Sequence, residues 1–242
     1  MQAVVLAGGK GRRLRPFTTV LPKPLMPLGD MPIIEVVLRQ LAGYGIRDVT
    51  LAVGYLAELL MAYCGDGSKF GLRMHYSREE EPLGTAGPLA LIDGLDDTFL
   101  VMNGDVLTTL DLAALVQAHQ ASGAVATIAT HRRTQQINYG IIESDPTDRI
   151  TAYIEKPVYH YQVSMGIYVL EPAVLEHIQP GVHLDLPELV HRLMAKERPV
   201  MACPFDGYWL DIGRHDDYER AVEEFETVRA ALLPRWVEDS EP

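Results

Sequence analysis

The sequence predicts an α/β fold built on a mostly parallel, three-layered sheet. Two observations carry this reading. Strand-like and helix-like segments alternate through the first half of the chain. Glycine and aspartate also follow apolar strands at their carboxyl ends, where sheets of this kind place their ligands. A length of 242 residues is ample for one domain with a sizeable core.

The elements follow in order. Residues 2–7 are a continuous apolar run and read as a buried strand. Residues 32–44 carry Ile33, Ile34, Val37, Leu38 and Leu41 at helical spacing. A strand over 48–53, a helix over 56–63, a strand over 72–76, a helical stretch over 86–91, a strand over 98–102 and a helix over 112–119 complete the first half. The second half changes character. Short strands over 125–130, 139–143, 150–154 and 165–170 are divided by turn-formers, and helices return over 173–178, 187–195 and 215–231. With no Pro-, Gly- or Ser-rich linker and no internal repeat, residues 1–242 read as one domain. Its parts are a first part over 1–135, a lobe over 136–212, and a C-terminal helix and tail over 213–242.

The strand over 2–7 breaks into Gly8-Gly9-Lys10-Gly11-Arg12-Arg13-Leu14-Arg15-Pro16, and Pro22-Lys23-Pro24-Leu25 follows. Three glycines let the backbone approach a ligand and turn its N–H groups inward. Lys10, Arg12, Arg13, Arg15 and Lys23 surround that loop, at the end of a strand closed by Leu6 and Ala7. This is a polyphosphate pocket in outline; a flexible basic surface loop is the plainer reading. It is neither a dinucleotide fingerprint, since Leu14 stands where the third glycine would be, nor a P-loop, since no Gly-Lys-Ser/Thr occurs.

Net charge is −12, which argues against nucleic acid as partner and makes the local cations a site for a small anion. No run approaches the roughly 18 apolar residues of a membrane span, and the N-terminus does not read as a signal peptide, so a cytoplasmic protein is expected. Cys64 and Cys203 are far apart and are expected to be buried and reduced. The segment 238–242 is expected to be solvated and disordered.

Asn103-Gly104-Asp105 puts a carboxylate at the tip of a buried strand, with Gly104 permitting close approach; Asp211 ends a second short apolar strand before Ile212-Gly213. Either Asp alone could be a turn residue or a helix cap. Together, beside a polyphosphate loop, they suit Mg²⁺, which takes one or two carboxylates plus substrate phosphates. Glu155-Lys156-Pro157 ends another strand; Lys156 is either a solvated charge or, held extended before Pro157, aimed into a cleft. Glu81-Pro82-Leu83-Gly84-Thr85-Ala86-Gly87-Pro88 is a loop entering a helix, with Thr85 as expected N-cap and glycines that allow main-chain contact with a flat ring. His131 and Cys203 have no partners at zinc spacing, and a serine-nucleophile elbow is absent. Tyr153, Tyr159, Tyr161 and Met165 could form a ligand pocket or an interface.

These segments, in this order, resemble the sugar-1-phosphate nucleotidyltransferases, and the stretch 79–89 looks most like the mannose- and heptose-1-phosphate guanylyltransferases. The resemblance runs from residue 1 to about residue 218. It implies a Rossmann-like α/β/α fold with a mixed sheet, of the nucleotide-diphospho-sugar transferase type. It implies a reaction in which a nucleoside triphosphate and a sugar 1-phosphate give a nucleotide sugar and pyrophosphate, with Mg²⁺ as cofactor and GTP favoured. Carried over, Leu6, Ala7, Gly8, Gly9, Gly11 and Gly104 would line the nucleotide, and Arg13 and Lys23 would hold the triphosphate. Asp105 and Asp211 would bind the metal, and Gly84, Thr85 and Gly87 would border the base. Gly140, Glu155 and Lys156 would contact the sugar phosphate, with Ser164 and Gly166 on the sugar-binding strand. Arg13, Lys23, Asp105, Lys156 and Asp211 would be the catalytic set.

Two departures qualify the transfer. Val163-Ser164-Met165-Gly166 stands where the guanylyltransferases often have Asn before a small residue and Gly, which leaves the sugar open. The β-helix domain that many relatives carry is not expected after the last helix, which leaves homo-oligomer formation open. The alternatives are the same reaction with dTTP, UTP or ATP and glucose 1-phosphate, and a non-catalytic sensor of nucleotide sugars. A sensor should have lost Lys23 or a metal carboxylate, and this chain keeps Lys23, Asp105 and Asp211.

Overall fold

The structure, a computed structural model, describes residues 1–233; the acidic segment 238–242 lies outside the described residues. Strand β1 (Gln2–Ala7) leads through the glycine loop to the short pair β2 (Pro27–Leu28) and β3 (Met31–Pro32), then to helix α1 (Ile33–Gly43). β4 (Asp48–Val53), α2 (Ala57–Cys64), β5 (Arg73–Arg78), β6 (Phe99–Asn103), β7 (Val106–Thr108) and α3 (Leu112–Ser122) follow. The second half contains β8 (Ala126–Gln136), β9 (Ile141–Ser144), β10 (Ile150–Ile154), β11 (Val158–Leu170), α4 (Leu186–Ala195), β12 (Val200–Phe205), β13 (Trp209–Asp211) and α5 (His215–Leu232).

Seven strands form the central sheet in the order β12-β8-β11-β6-β1-β4-β5. β1 runs parallel to both β4 and β6, and β5 parallel to β4. Only β11 runs against its neighbours β6 and β8, so the sheet is mixed but mostly parallel. Both of its faces are covered, which is why the strands read as continuous apolar runs. Ala3, Val5 and Ala7 point to the layer of α1, α2 and α3, whereas Val4 joins Phe99, Val101 and the α4 residues Leu186, Leu189 and Leu193 on the other face. The alternation within β1 is the period of a strand.

Several boundaries move. Residues 87–91 and 172–177 are 3₁₀ turns rather than α-helix, each with Pro in its first turn. The strands expected over 125–130 and 165–170 are the sheet-bound ends of two long strands, β8 and β11, whose other ends leave the sheet as a ribbon. That ribbon is exposed and polar, so it lacks the apolar run that marked the rest. Cys64 is buried, and burial pushes its thiol up to about 11; Cys203 is half-buried, and both are free.

A third cluster lies outside the sheet. Leu14 and Met26 from the glycine loop region, Ile33, Leu210 and Ile212 pack around Phe225 of α5. This cluster fastens the loop after β1 to the segment ending in Asp211. Phe225 is fully buried, so Phe225→Ala should cost about 3–5 kcal/mol, read as a lowered midpoint in urea denaturation.

Candidate functional site

The site is assembled where β1, β4, β5 and β6 end. Gly9 faces open space, so the backbone is bare to the cavity there. Gly11 has φ +56 and packs on Thr18, whose hydroxyl donates to the Gly11 carbonyl at 2.8 Å. A side chain at Gly11 would be strained as well as crowded. Leu6, Ala7, Gly9, Gly11, Arg13, Lys23 and Asp105 line one cavity of about 240 Å³, with Arg12 and Gly213 at its wall.

β7 follows Asp105 directly, and β13 pairs with it antiparallel, Asp211 opposite Val106. The Ile212 N–H then donates to the Asp105 carbonyl at 3.2 Å. These bonds bring the two carboxylates, 106 residues apart in sequence, to the same edge. Burial pushes the Asp211 pKa up, and the Asp105 charge adds to that; Lys23 and Arg13 pull it down. Lys23 donates through Nζ to Asp105 Oδ2, while Asp105 Oδ1 is buried with no hydrogen-bond partner among the described residues.

A second cavity of about 300 Å³ shares Leu6, Gly9 and Asp105 with the first and extends to Gly84, Thr85, Glu79 and His183. Gly84 has φ +78, and a Cβ there would lie 2.6 Å from the Leu184 carbonyl oxygen. Thr85 does not cap the turn that follows it. Its hydroxyl instead accepts from the Leu186 N–H at 2.8 Å, and it is in turn held by Asp185 Oδ1. Thr85 therefore closes the start of α4, which has no side-chain cap of its own.

Some expected residues do other work. Gly104 lies against β1, its N–H donating to the Leu6 carbonyl at 2.9 Å, and a Cβ would crowd that carbonyl. Gly87 is packed on Leu83 and the Val182 carbonyl. Both glycines serve chain-to-chain packing. A Cβ at Gly8 would run into Glu79 Oε1, so the glycine makes room for that carboxylate.

The sugar-side residues divide. Gly166, with φ +74, sits against the side chain of Asn103, which lines the second cavity. Ser164 bonds with the Tyr168 hydroxyl at 2.9 Å, beside the register shift between β8 and β11. Trp209 Nε1 donates to the Met165 carbonyl at 3.1 Å and ties this stretch to β13. Gly140, Glu155 and Lys156 flank β9 and β10, apart from both cavities. Lys156 is not extended before Pro157: its φ is +43, it is 59% exposed, and its ion partner is Glu155 at 3.8 Å. Met165 is buried in the core, while Tyr153 and Tyr161 are exposed.

Sequence reasoning missed Glu79, Asn103, His183 and Asp185. Glu79 had a signal, since it follows β5 as Asp105 follows β6, but it was hidden in a run of three glutamates. Burial raises its pKa, opposed by the Leu83 N–H bond to Oε2 and by His183. His183 and Asp185 carry no sequence signal; the fold brings them to the base of Gly84.

Fold and cavities define a protein with a cationic glycine loop and twin carboxylates beyond the ends of a mixed α/β sheet. The Nucleotidyl transferase family matches residues 2–228, and the chain belongs to that family. A UTP–glucose-1-phosphate uridylyltransferase of Synechocystis is 36% identical over 242 aligned positions, 92% of this chain and 62% of that protein. A mannose-1-phosphate guanylyltransferase of Mycobacterium tuberculosis is 37% identical over 227 residues, 91% of this chain and 63% of that one. The chain thus spans 62–63% of the length of these relatives. The crystal structure of HddC from Yersinia pseudotuberculosis superposes with a TM-score of 0.71 at 24% identity, covering 93% of this chain and 99% of that one. No helix among the described residues is long and apolar enough to cross a membrane.

Gly84→Ala tests the geometry of the second cavity. The left-handed backbone and the Leu184 carbonyl both oppose a methyl group, at about 1–3 kcal/mol. The expected result is a KM for nucleotide raised roughly tenfold with folding retained on circular dichroism.

Proposed function

We propose that the chain transfers a nucleotidyl group, joining a nucleoside triphosphate and a sugar 1-phosphate into a nucleotide sugar and releasing pyrophosphate. GTP with mannose or heptose 1-phosphate is the preferred pair. The observation that carries this reading is the cavity shared by Arg13, Lys23 and Asp105, adjoining a second cavity at Gly84 and Thr85. A polyphosphate suits the first and a nucleoside the second. Relatives at 33–37% identity named for mannose-1-phosphate guanylyl transfer favour the guanine nucleotide.

The chemistry follows from charge. A sugar phosphate has a second pKa near 6, so its attacking oxygen is largely anionic at neutral pH and no general base is needed. As that oxygen bonds to the α-phosphorus, the bond to the β-phosphate bridge breaks and pyrophosphate leaves with its electron pair. The obstacle is repulsion between two anions. Arg13 and Lys23 offset it and hold the triphosphate in line, and the Gly9 backbone lets the phosphates approach. Mg²⁺ fits the paired carboxylates: Asp105 has an orphaned buried oxygen, and Asp211 is a buried carboxylate beside a second negative charge. Asp105 and Asp211 would hold the ion, which when bound supplies charge neutralisation at the reacting phosphates.

Residues 1–135 would serve the nucleotide, and 136–212 the sugar phosphate, through the Ser164–Gly166 stretch beside Asn103. Glu155, Lys156 and Gly140, which flank β9 and β10, would contact the sugar phosphate. The reaction belongs in the cytoplasm, where nucleoside triphosphates are made. A second reading, UTP with glucose 1-phosphate, is supported by the Synechocystis relative.

Pyrophosphate release over a grid of GTP, UTP, dTTP and ATP against mannose, glucose and heptose 1-phosphates tests both. Release strongest with GTP supports the first reading, and release strongest with UTP and glucose 1-phosphate the second. Lys23→Ala and Asp211→Asn should each lower turnover by roughly 10²–10³-fold. EDTA should abolish activity and excess Mg²⁺ restore it; near-normal rates in both variants would sink the mechanism.

A further inference from the structure

The outer half of the glycine loop is held by a segment 200 residues away in sequence. Arg12, Arg13, Arg15 and Phe17 are exposed there, and Leu14 is the buried residue among them. None of the three arginines has an ion-pair partner among the described residues. Like charges on one 3₁₀ turn and its exit repel one another, which favours an open loop. The first turn of α5 closes it. His215, half-buried, donates through Nε2 to the Arg15 carbonyl at 2.8 Å. Its ring lies against Phe17, centroids 5.9 Å apart, and Phe17 meets Tyr218 at 6.2 Å. Tyr218 is itself tied down, its hydroxyl donating to the Pro27 carbonyl at 2.8 Å. The turn is clasped upon itself, since Asp217 Oδ2 accepts from the Gly213 N–H at 3.2 Å. On the inner side, a Cβ at Gly213 would sit 3.6 Å from both terminal nitrogens of the Arg13 guanidinium. The α5 turn therefore meets the loop twice, at the Arg13 side chain and at the Arg15 backbone.

We propose that His215 is a positioning residue: by holding the Arg15 carbonyl it sets the Arg13 guanidinium into the first cavity, toward the triphosphate. The statement rests on the nucleotidyl-transfer reading for its ligand. Arg13 and Gly213 line that cavity and His215 does not, so His215 acts through the backbone. Arg15 is the C-cap of the 3₁₀ turn that carries Arg13, and its N–H reaches the Arg12 carbonyl only at 3.5 Å. So long a bond leaves the exit of the turn loose, and the bond from His215 fixes it from outside. Gly213 forms the opposite stop, its bare backbone letting the guanidinium lie beside Asp211. Held between these two contacts, Arg13 needs little reorganisation when phosphates arrive. A carbonyl oxygen only accepts, so the group that matters is the Nε2–H and not the ring face toward Phe17.

Substitutions at His215 separate the donor from the ring. His215→Gln keeps an N–H donor as many bonds from the backbone, His215→Phe keeps the ring against Phe17 without the donor, and His215→Ala removes both. The experiment measures kcat and both KM values in wild type and variants, with the substrate pair most active in the pyrophosphate-release grid. His215→Phe and His215→Ala should each raise the KM for the nucleoside triphosphate roughly 3–10-fold, the worth of one neutral hydrogen bond, and leave the KM for the sugar 1-phosphate unchanged. His215→Gln should stay within about twofold of wild type. A merely structural role would move both KM values together and leave Gln no better than Ala. That pattern, or wild-type values in His215→Phe, overturns the proposal. Calorimetric titration with inorganic tripolyphosphate and Mg²⁺ needs no turnover and should give the same ranking, wild type and Gln tighter than Phe and Ala. If wild type turns over no substrate pair, the transfer reading fails by itself. The tripolyphosphate ranking then still supports the role of His215, and equal affinity in all four proteins, or none in wild type, overturns it.

Discussion

Two carboxylates cannot share a half-buried edge without a cation between or beside them, and much of this structure answers that constraint. β7 and β13 exist as a pair of three-residue strands, and their register sets Asp211 against the residue after Asp105. Lys23 reaches back to Asp105 from the end of the glycine loop, and Arg13 lowers the cost of charge on Asp211. Cations and anions here are mutually dependent. Removing either set leaves the other uncompensated in a poorly solvated place, which is costly.

Holding those charges still requires packing away from them. The central sheet supplies the ends of β1 and β6, while Asp211 belongs to the separate β7–β13 pair. The third cluster does that work, with Leu210 and Ile212 on either side of Asp211 both buried against α5 and the loop residues Leu14 and Met26. Asp211 is half-buried between those two buried neighbours, at the edge it shares with Asp105. The glycine loop is anchored in the same way: Leu14 is buried next to Arg13, which lines the first cavity.

The parts of this design legible in the sequence were those written in local pattern. β1, β4 and β6 announced themselves as apolar runs, and Asp105 as a carboxylate at such a run's end. The cationic glycine loop was legible because so many charges rarely crowd a buried strand. What depended on distant partners was not legible. Thr85 looked like the cap of the next helix, and nothing local revealed α4 as its true partner. Gly104 and Gly87 looked like ligand-facing glycines, whereas each accommodates another strand or loop. Lys156 was expected to be extended from the proline rule, yet the tight turn between β10 and β11 overrides that preference. Glu79 was concealed by its neighbours: it stands first in a run of three glutamates, and only the turn after β5 sets it apart by half-burying it.

The bonds from Thr85 to Asp185 and Leu186 span 100 and 101 residues. Joined to them are the N–H groups of Ala86 and Gly87, both donating to the Leu184 carbonyl. The wall of the second cavity is therefore a long-range closure rather than a local turn. Closing so long a segment is entropically slow, and its reward comes only once the sheet between has formed. During synthesis, β1, its glycine loop and Asp105 leave the ribosome well before residue 186. The chain acquires the cations of its glycine loop first and the Gly84–Thr85 wall later, so the second cavity is complete only once residue 186 of the 242 has emerged.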